Sequence, residues 1–299
     1  MRKTLSYVAA GSFSLLLAVC SSGPKIVLDA ESAAFYEHAR LIMTSEERDM
    51  FTHITDAATR KEFIEDFWKK RDPDEYTEEN EFKIEFYRRI EYANKRFIEG
   101  IPGWKTDRGR IYIYMGPPDK FDEIFSHQDP QINGPILFWV YYDYQLAIEF
   151  IDIRGDGSYQ IRRYDGFFFE ALDSLKMGYR PVLKGEKKKF ASFKLDYDKN
   201  TGKIEIALPV DVFKFRDEGG RMRADLDFTF FIYRKDGTKL TEFKEERAFA
   251  EPLETYLELK KLVFDFPYPL AAGRYYIDVV IVGTDGSLGK TRKIFEVKA

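Results

Sequence analysis

Apolar residues recur at intervals of three and four along the first hundred positions of the chain, as they do on one face of a helix. The pattern predicts three helices, over residues 29–43, 44–54 and 56–70, and a longer helix over 78–98. A proline follows the third of them and a glycine follows the longest, and both residue types end helices. The beginning of the chain is therefore expected to be helical.

Residues that cap helices stand where these helices are predicted to begin. Their short polar side chains accept hydrogen bonds from the first free backbone N–H groups of a helix. Thr44 is followed three positions later by Glu47, which is the spacing of a capping box. The expected capping residues are Asp29 or Ser32, Thr44, Thr55 or Asp56, and Thr77.

Alternation of apolar and polar residues replaces the helical spacing farther along the chain. It predicts strands over 110–115, 135–144, 146–153 and 158–163, and a short helix over 166–177. Consecutive strands joined by short turns form antiparallel sheets. The first half is therefore expected to be an α+β domain, with a helical cap followed by an antiparallel sheet.

The second half alternates almost throughout, with turn residues between the apolar runs. Seven strands are predicted, over 190–198, 203–210, 224–234, 238–249, 255–266, 273–282 and 289–297. About seven short strands in a module of this size are typical of an immunoglobulin-like β-sandwich. The second half is therefore expected to be an all-β sandwich of that kind.

A polar linker, Gly-Glu-Lys-Lys-Lys, begins at Gly185 and separates the two patterns. Acidic residues exceed basic residues before it and not after it, which supports two separate units. The resulting division is a signal peptide over 1–19, a tether over 20–28, an α+β domain over 29–184 and a β-sandwich over 185–299.

The N-terminus has the layout of an export signal. Basic residues precede the apolar stretch Leu5–Val19, which is shorter than the roughly 20 apolar residues that a spanning helix requires. The stretch ends at Cys20, the only cysteine, and Leu17-Ala18-Val19-Cys20 resembles the lipobox of bacterial lipoproteins. The resemblance implies that Cys20 is acylated and anchors the chain in the cell envelope. Ser21 then favours the outer membrane over the inner one.

Composition narrows the classes of function. Of the 299 residues, 44% are hydrophobic and 33% charged, which favours folded domains over a disordered chain. A net charge of −4 gives no overall attraction for nucleic acid. One cysteine, three histidines and the lack of phosphate-loop, nucleophile-elbow or zinc-binding motifs predict no cofactor, no metal and no catalytic residue.

Two short motifs in the first half are shared with a known family. Gly103-Trp104-Lys105-Thr106-Asp107, followed by Gly116-Pro117-Pro118-Asp119, resembles the signature of the bacterial GWxTD domain family. Upstream, the segment that ends in Arg71-Asp72-Pro73 resembles a second signature of the family. The resemblance covers residues 44–165 and implies an exported, often lipid-anchored protein with a β-rich C-terminal module. It implies no established reaction, cofactor or catalytic residue.

The signature residues are expected to hold the fold together. Turns on both sides of Trp104 favour an inward ring, packed on the apolar stripe of the longest predicted helix or on Phe67 and Trp68. Asp107 is expected to accept backbone hydrogen bonds or to pair with Arg71 or Arg89. The alternative is a binding pocket for a small anion, peptide or sugar. The side chains expected to form one buried network are Arg71, Asp72, Arg89, Asn94, Trp104 and Asp107.

Three functions remain open from the sequence. The anchor, the two modules and the missing catalytic motifs favour a noncatalytic envelope lipoprotein that binds a protein partner or assists an assembly. Exposed aromatics such as Phe167, Phe168 and Phe169 would instead suit a module that binds carbohydrate or peptidoglycan. The abundance of carboxylates leaves a carboxylate-dependent hydrolase as the third function.

Overall fold

The structure is a computed structural model that describes residues 27–74, 76–125, 133–178 and 192–299. The predicted signal peptide, the cysteine that is expected to be lipidated and the linker lie outside the described residues. The predictions made for them therefore stay predictions.

Helices dominate the beginning of the described chain. The α-helices of the first half are α1 (Ala30–Ala39), α2 (Ser45–His53), α3 (Ala57–Lys69), α4 (Glu81–Arg96), α5 (Asp107–Met115) and α6 (Phe168–Lys176). The first four and the last occupy predicted positions, with ends that differ by a few residues. Their apolar stripes face inward, and Phe82, Phe86 and Ile90 of α4 are buried as expected.

Side-chain caps fix where the first three helices begin. Asp29 accepts a hydrogen bond from the backbone of Ser32 and caps α1. Thr44 and Glu47 form the predicted capping box, in which each side chain accepts a hydrogen bond from the backbone N–H of the other. Asp56 caps α3 in the same way as Asp29 caps α1. The sequence therefore located these three helix starts correctly.

The cap of α4 differs from the prediction. Asn80, and not Thr77, accepts a hydrogen bond from the backbone N–H of Lys83, at 2.8 Å. The Thr77 hydroxyl instead donates to the carboxylate of Glu81, at 2.8 Å. The helix therefore begins at Glu81, later than predicted.

The predicted strand over 110–115 is wrong, because these residues belong to helix α5. Thr106 caps the helix by accepting a hydrogen bond from the backbone of Gly109 at 3.0 Å. Asp107 stands in the first turn, where a negative charge suits the helix dipole. Residues 111–113 are all buried, since α4, α6 and the sheet cover the helix from several sides. The alternation of isoleucine and tyrosine thus does not mark one buried face.

Four antiparallel strands form the sheet of the first half. They are, in spatial order, β1 (Lys120–Phe125), β2 (Pro135–Tyr141), β3 (Leu146–Ile151) and β4 (Gln160–Asp165). The last three confirm predicted strands, whereas β1 takes the place of the wrongly predicted first one. Sequence patterning missed β1 because its apolar Ile124 and Phe125 are adjacent rather than alternating.

Antiparallel strands make up most of the second half. They are β5 (Lys194–Asp198), β6 (Lys203–Pro209), β7 (Arg216–Glu218), β8 (Arg221–Arg234), β9 (Lys239–Pro252), β10 (Lys261–Pro267), β11 (Arg274–Gly283) and β12 (Thr291–Lys298). The predicted strand over 255–266 is correct only in its second part, because residues 253–258 form the short helix α7. The three-residue strand β7 was not predicted.

The strands of the second half form two sheets. One has the order β10-β6-β5, and the other has the order β12-β11-β8, with β7 and β9 both paired to β8. A core that includes Ile206, Phe228 and Ile277 lies between them. A first half of helices and one antiparallel sheet is thus followed by a β-rich second half.

The five-stranded sheet is buried on both faces where β11 crosses it. Ile277 and Val279 belong to the core between the two sheets. Tyr276 and Val280 on the opposite face join Phe231 in the core of the first half. The alternation in β11 indicated only one buried face, and the second is buried because the helices of the first half pack against it.

Candidate functional site

The signature turn packs directly on helix α4. Residues 103–105 form one turn of 3₁₀ helix, and Gly103 touches the end of α4. A Cβ atom on Gly103 would lie 1.9 Å from the carbonyl oxygen of Ala93, so no larger residue fits without a shift of the backbone. Asn94 completes the contact by accepting a hydrogen bond from the backbone N–H of Trp104, at 3.2 Å.

Thr106 joins the signature turn to helix α5. Its hydroxyl donates to the carbonyl oxygen of Gly103 at 2.8 Å and accepts from the backbone N–H of Gly109 at 3.0 Å. A Cβ atom on Gly109 would lie 1.8 Å from the same carbonyl oxygen. The two glycines and the threonine therefore form one close-packed corner between α4 and α5.

Trp104 points inward, as predicted, and only 4% of its surface is exposed. Its ring contacts His38 edge-on, with centroids 5.1 Å apart, and lies under the cations of Arg40 and Lys105. Trp104 also belongs to the same buried core as Phe67, Trp68 and the apolar stripe of α4, the partners expected for it. Its contact with the end of α1 was not predicted.

Asp107 accepts a backbone hydrogen bond, which is one of its two predicted roles, and it pairs with neither Arg71 nor Arg89. One of its carboxylate oxygens accepts a hydrogen bond from the backbone N–H of Ile161 at 2.9 Å, and the other pairs with Arg110. Arg89, an expected partner, instead donates to the carbonyl oxygens of Ile113 and Tyr114, both at 3.1 Å. Arg89 therefore satisfies the C-terminal end of α5.

Gly116-Pro117-Pro118-Asp119 connects α5 to the sheet. Gly116 has a φ of +81°, and its carbonyl oxygen accepts a hydrogen bond from the Tyr141 hydroxyl at 3.1 Å. Asp119 accepts a hydrogen bond from the backbone N–H of Tyr142 at 2.8 Å. The hydrogen bonds of the segment thus join the end of α5 to strand β2 and the residue after it.

The upstream signature contributes a fully buried cation. Arg71 donates to both carboxylate oxygens of Glu47, at 2.9 and 2.6 Å, and to the carbonyl oxygen of Lys176 at 2.6 Å. Asp72 and Pro73 follow at the surface, where the Asp72 carbonyl oxygen accepts a hydrogen bond from Lys290. Arg71 thus ties α2, α3 and the end of α6 together.

Glu47 extends this cluster into the second half of the chain. Arg292 of β12 donates to Glu47 at 2.5 Å and to both carboxylate oxygens of Asp278, at 2.8 and 2.5 Å. Lys70 completes the cluster at 3.0 Å from Asp278. We call Glu47, Lys70, Arg71, Asp278 and Arg292 the charged junction.

Electrostatics favour the ionised form of the two carboxylates in the junction. Burial by itself would raise the pKa of Glu47, but the charges of Arg292 and Arg71 outweigh it and hold the pKa well below its usual range. Arg292 and Lys70 lower the pKa of Asp278 against burial in the same way. Two guanidinium nitrogens, Nε of Arg71 and Nη1 of Arg292, have no hydrogen-bond partner among the described residues.

The six side chains expected to form one network lie in three places. Arg71 belongs to the charged junction, and Asp72 follows it in the chain. Arg89 binds the end of α5. Asn94 and Trp104 meet at the signature turn, which Asp107 follows. Glu47, Asp278 and Arg292 were missed as partners. A single acidic residue within the apolar strand β11, Asp278, was the available signal.

A cleft of about 460 Å³ opens beside the signature turn. Its walls come from the end of α1, from α2, α5 and α6, and from the turn itself. Basic and aromatic side chains line it, Trp104 and Tyr114 among them. Its size falls within the roughly 300–1,000 Å³ of ligand-binding clefts.

A second exposed feature is the edge strand β1. All six of its residues are exposed, Phe121 and Phe125 each to 64%. Phe121 lies opposite the buried Trp139 of β2, on the same face of the sheet. The apolar face that packs on the helices therefore continues onto β1, where its side chains are exposed. In the described ranges only β2 pairs with this strand.

The described part of the chain holds neither a cluster of metal ligands nor a helix that could cross a membrane. There, no three histidine, cysteine or acidic side chains come together as a metal site would require. The helices within the same ranges are all too short or too polar to span a bilayer.

Comparison with known proteins identifies the first half. Residues 24–152 match the family described as the GWxTD domain, so the chain carries a GWxTD domain, as its signatures predicted. No curated protein matches the chain.

Two solved structures show weak similarity. A β-glucuronidase from Bacteroides uniformis is 15% identical over 36% of this chain and 12% of its own, with a TM-score of 0.21. The chicken interferon gamma receptor alpha chain is 9% identical over 52% of this chain and 65% of its own, with a TM-score of 0.23. The matched regions thus span less than two thirds of either protein. Both TM-scores are too low to bear on fold or function.

Proposed function

We propose that this chain is a noncatalytic lipoprotein of the bacterial envelope that binds a protein partner within an assembly. Acylation of Cys20 would place it at a membrane, with the outer membrane favoured. The exposed edge strand β1 carries the proposal. Natural sheets usually shorten, charge or cover such edges, because unpaired backbone groups recruit other chains.

The side chains of β1 suit addition of a partner strand. Phe121 and Phe125 extend the apolar side of the sheet, and Ile124 on its other side is also exposed. A partner strand could pair with the edge backbone while its side chains cover the two phenylalanines. Charged side chains would keep the unpaired edge soluble before a partner binds, and β1 carries three of them, Lys120, Asp122 and Glu123.

The second half would act as a spacer or a second binding module. Two antiparallel sheets around one core support an immunoglobulin-like sandwich, which we propose as its finer classification. Such a module would hold the GWxTD domain in a fixed orientation through the charged junction.

A carbohydrate-binding role is the second proposal. Phe167, Phe169 and Tyr164 are exposed near the start of α6, and the rings of Tyr164 and Phe169 lie edge-on with centroids 5.8 Å apart. Exposed aromatic rings of this kind can stack on sugar faces. Pull-down on peptidoglycan, with Phe169→Ser as the test variant, would separate this role from protein binding.

Crosslinking in native envelopes tests the main proposal. The wild-type chain should capture a defined protein, and the double variant Phe121→Ser/Phe125→Ser should lose it. Tyr142→Ser is the matched control, because Tyr142 is an exposed aromatic residue just beyond β2. Equal capture by all three proteins would reject β1 as the binding edge.

Fractionation tests the anchor independently. Cys20→Ala should move the chain from the membrane fraction and abolish labelling by a palmitate analogue. A processed variant that still fractionates with membranes would contradict lipidation at Cys20.

A further inference from the structure

The cleft beside the signature turn is lined by cations from five separate parts of the first half. Arg40 follows α1, Arg48 lies on α2, Lys105 on the turn, Arg110 on α5 and Lys176 on α6. Among the described residues, no carboxylate lines the cleft. This half contains more acidic than basic residues, so the concentration of positive charge is local.

Three of these cations have acidic neighbours outside the cleft. Lys105 lies 4.0 Å from Glu37, Arg110 pairs with Asp107, and Lys176 lies 3.9 Å from Asp173. These contacts are on exposed or partly exposed side chains, where ion pairs contribute little and are screened by salt. The lysines and Arg110 therefore still contribute positive potential to the cleft.

Arg40 and Arg48 have no carboxylate within 4.0 Å in the described part of the chain. Arg40 donates through Nε to the carbonyl oxygen of Glu37 at 3.2 Å. Arg48 donates through Nη2 to the carbonyl oxygen of Arg40 at 3.4 Å. A guanidinium carries five N–H donors, so both residues keep several for a ligand.

The positive charges of the cleft contribute to the pKa shifts of two neighbouring side chains, His38 and Tyr114. Burial lowers the pKa of the His38 imidazole, and the charges of Lys105 and Arg40 add to that effect, against the opposing charge of Glu37. Arg110 and Arg48 act on the Tyr114 hydroxyl, whose pKa is raised overall by burial. Four of the five cations thus lie close enough to His38 or Tyr114 to act on these groups.

We propose that this cleft binds a phosphate group carried by a small organic ligand. The forked N–H donors of Arg40 and Arg48 match the oxygens of a phosphate, which accepts several hydrogen bonds at once. Five cations favour a doubly charged phosphate over a singly charged carboxylate. Leu41 and Leu172 provide apolar walls for the organic part of the ligand.

Titration calorimetry on the purified full chain in detergent tests the proposal. Glycerol 3-phosphate is the soluble probe, and phosphatidylglycerol added to the same detergent micelles presents the same group as a lipid headgroup, with micelles that lack the lipid as the blank. One-to-one binding of glycerol 3-phosphate would identify a soluble ligand. Binding of phosphatidylglycerol alone would identify a lipid, and either result supports the phosphate site.

The double variant Arg40→Gln/Arg48→Gln should weaken binding of the active probe at least ten-fold. Arg88→Gln is the matched control, because Arg88 is an exposed arginine of α4 that does not line the cleft. Its affinity should equal that of the wild type. Unchanged melting temperatures would show that the loss of binding does not come from unfolding.

A second variant adds a charge instead of removing one. Leu172→Glu would place a carboxylate in the cleft and should also weaken binding ten-fold while both arginines remain. The proposal is overturned if neither probe binds the wild type, or if the arginine and Leu172 variants bind as well as Arg88→Gln. Capture of a protein at β1 would not be affected by either result.

Discussion

Two contacts hold the helices of the first half in place, and they depend on different forces. At the signature turn, backbone packs on backbone, with Gly103 against the carbonyl group of Ala93. At the charged junction, fully buried side chains meet, with Glu47 between Arg71 and Arg292. The first contact therefore tolerates no added volume, and the second tolerates no lost charge.

The two contacts also differ in the distance along the chain that they join. The backbone contacts of the signature turn lie within residues 93–109, whereas Glu47 and Arg292 are 245 positions apart. Breaking the turn should disturb the corner between α4 and α5. Breaking the junction should loosen the second half from the first, because Asp278 and Arg292 belong to the five-stranded sheet.

The largest loss of stability is expected at the charged junction. Glu47→Ala would leave Arg71 and Arg292 buried without their shared carboxylate, and it would also remove half of the α2 capping box. Removing one partner of a buried ion pair typically costs about 3–5 kcal/mol. We expect a loss of that size in the free energy of unfolding, measured by equilibrium urea denaturation.

Glu46→Ala is the control for this variant. Glu46 is the preceding residue of the same helix and is only partly buried, outside the junction. Its removal should change the free energy of unfolding by less than about 0.5 kcal/mol, as surface substitutions usually do. Similar values for the two variants would mean that the junction does not depend on its charges.

The second largest loss of stability is expected at the signature turn. Gly103→Ala would force a methyl group against the Ala93 carbonyl, and overpacking of this kind typically costs about 1–3 kcal/mol. Gly100→Ala is the control for space, since no atom lies within 4 Å of its Cβ position, although its φ of +74° adds backbone strain. A smaller loss for Gly103→Ala than for Gly100→Ala in thermal unfolding would contradict the close contact.

Local features of the fold were predictable from the sequence because their causes lie close together in the chain. The Thr44 capping box and the cap at Asp56 follow from residues three positions apart. The inward direction of Trp104 followed from the turns around it. Most strands of the second half followed from period-two alternation, with β7 and the start of β10 as the exceptions, and the GWxTD signature identified the first half.

Features that depend on distant packing were not predictable in this way. Residues 110–115 alternate like a strand, but the Thr106 cap and burial from several sides make them a helix. Neither the charged junction nor the cleft could be derived, because each joins side chains from several elements. Asp107 and Arg89 were singled out from the sequence, but the identity of their partners depends on how the sheet and α5 meet.

Acid acts on the junction through Glu47, whereas the backbone contact of Gly103 with Ala93 contains no titratable group. The pKa of Glu47 is lower in the folded chain than its ordinary value of 4.5, so its ion pairs stabilise the fold fully above that pH. Their contribution is lost as the pH falls below it, by up to about 1.4 kcal/mol per pH unit for one such group. In urea denaturation between pH 7 and pH 3, Glu47→Gln should therefore show a shallower dependence on pH than the wild type. Parallel curves would contradict the shift.

The smallest effect is at the start of α5, and it tests whether the turn depends on its hydrogen bonds as well as on its space. Thr106→Ala removes the hydroxyl that donates to Gly103 and accepts from Gly109. Loss of an N-cap typically costs about 1 kcal/mol. Thr106→Ser keeps the hydroxyl and should recover most of the loss, whereas Thr77→Ala, at a threonine that caps no helix, should cost less. Thermal unfolding of the three variants measures the difference. If Ser and Ala at position 106 were equally destabilising, the corner would depend on the methyl group of Thr106 and on packing alone.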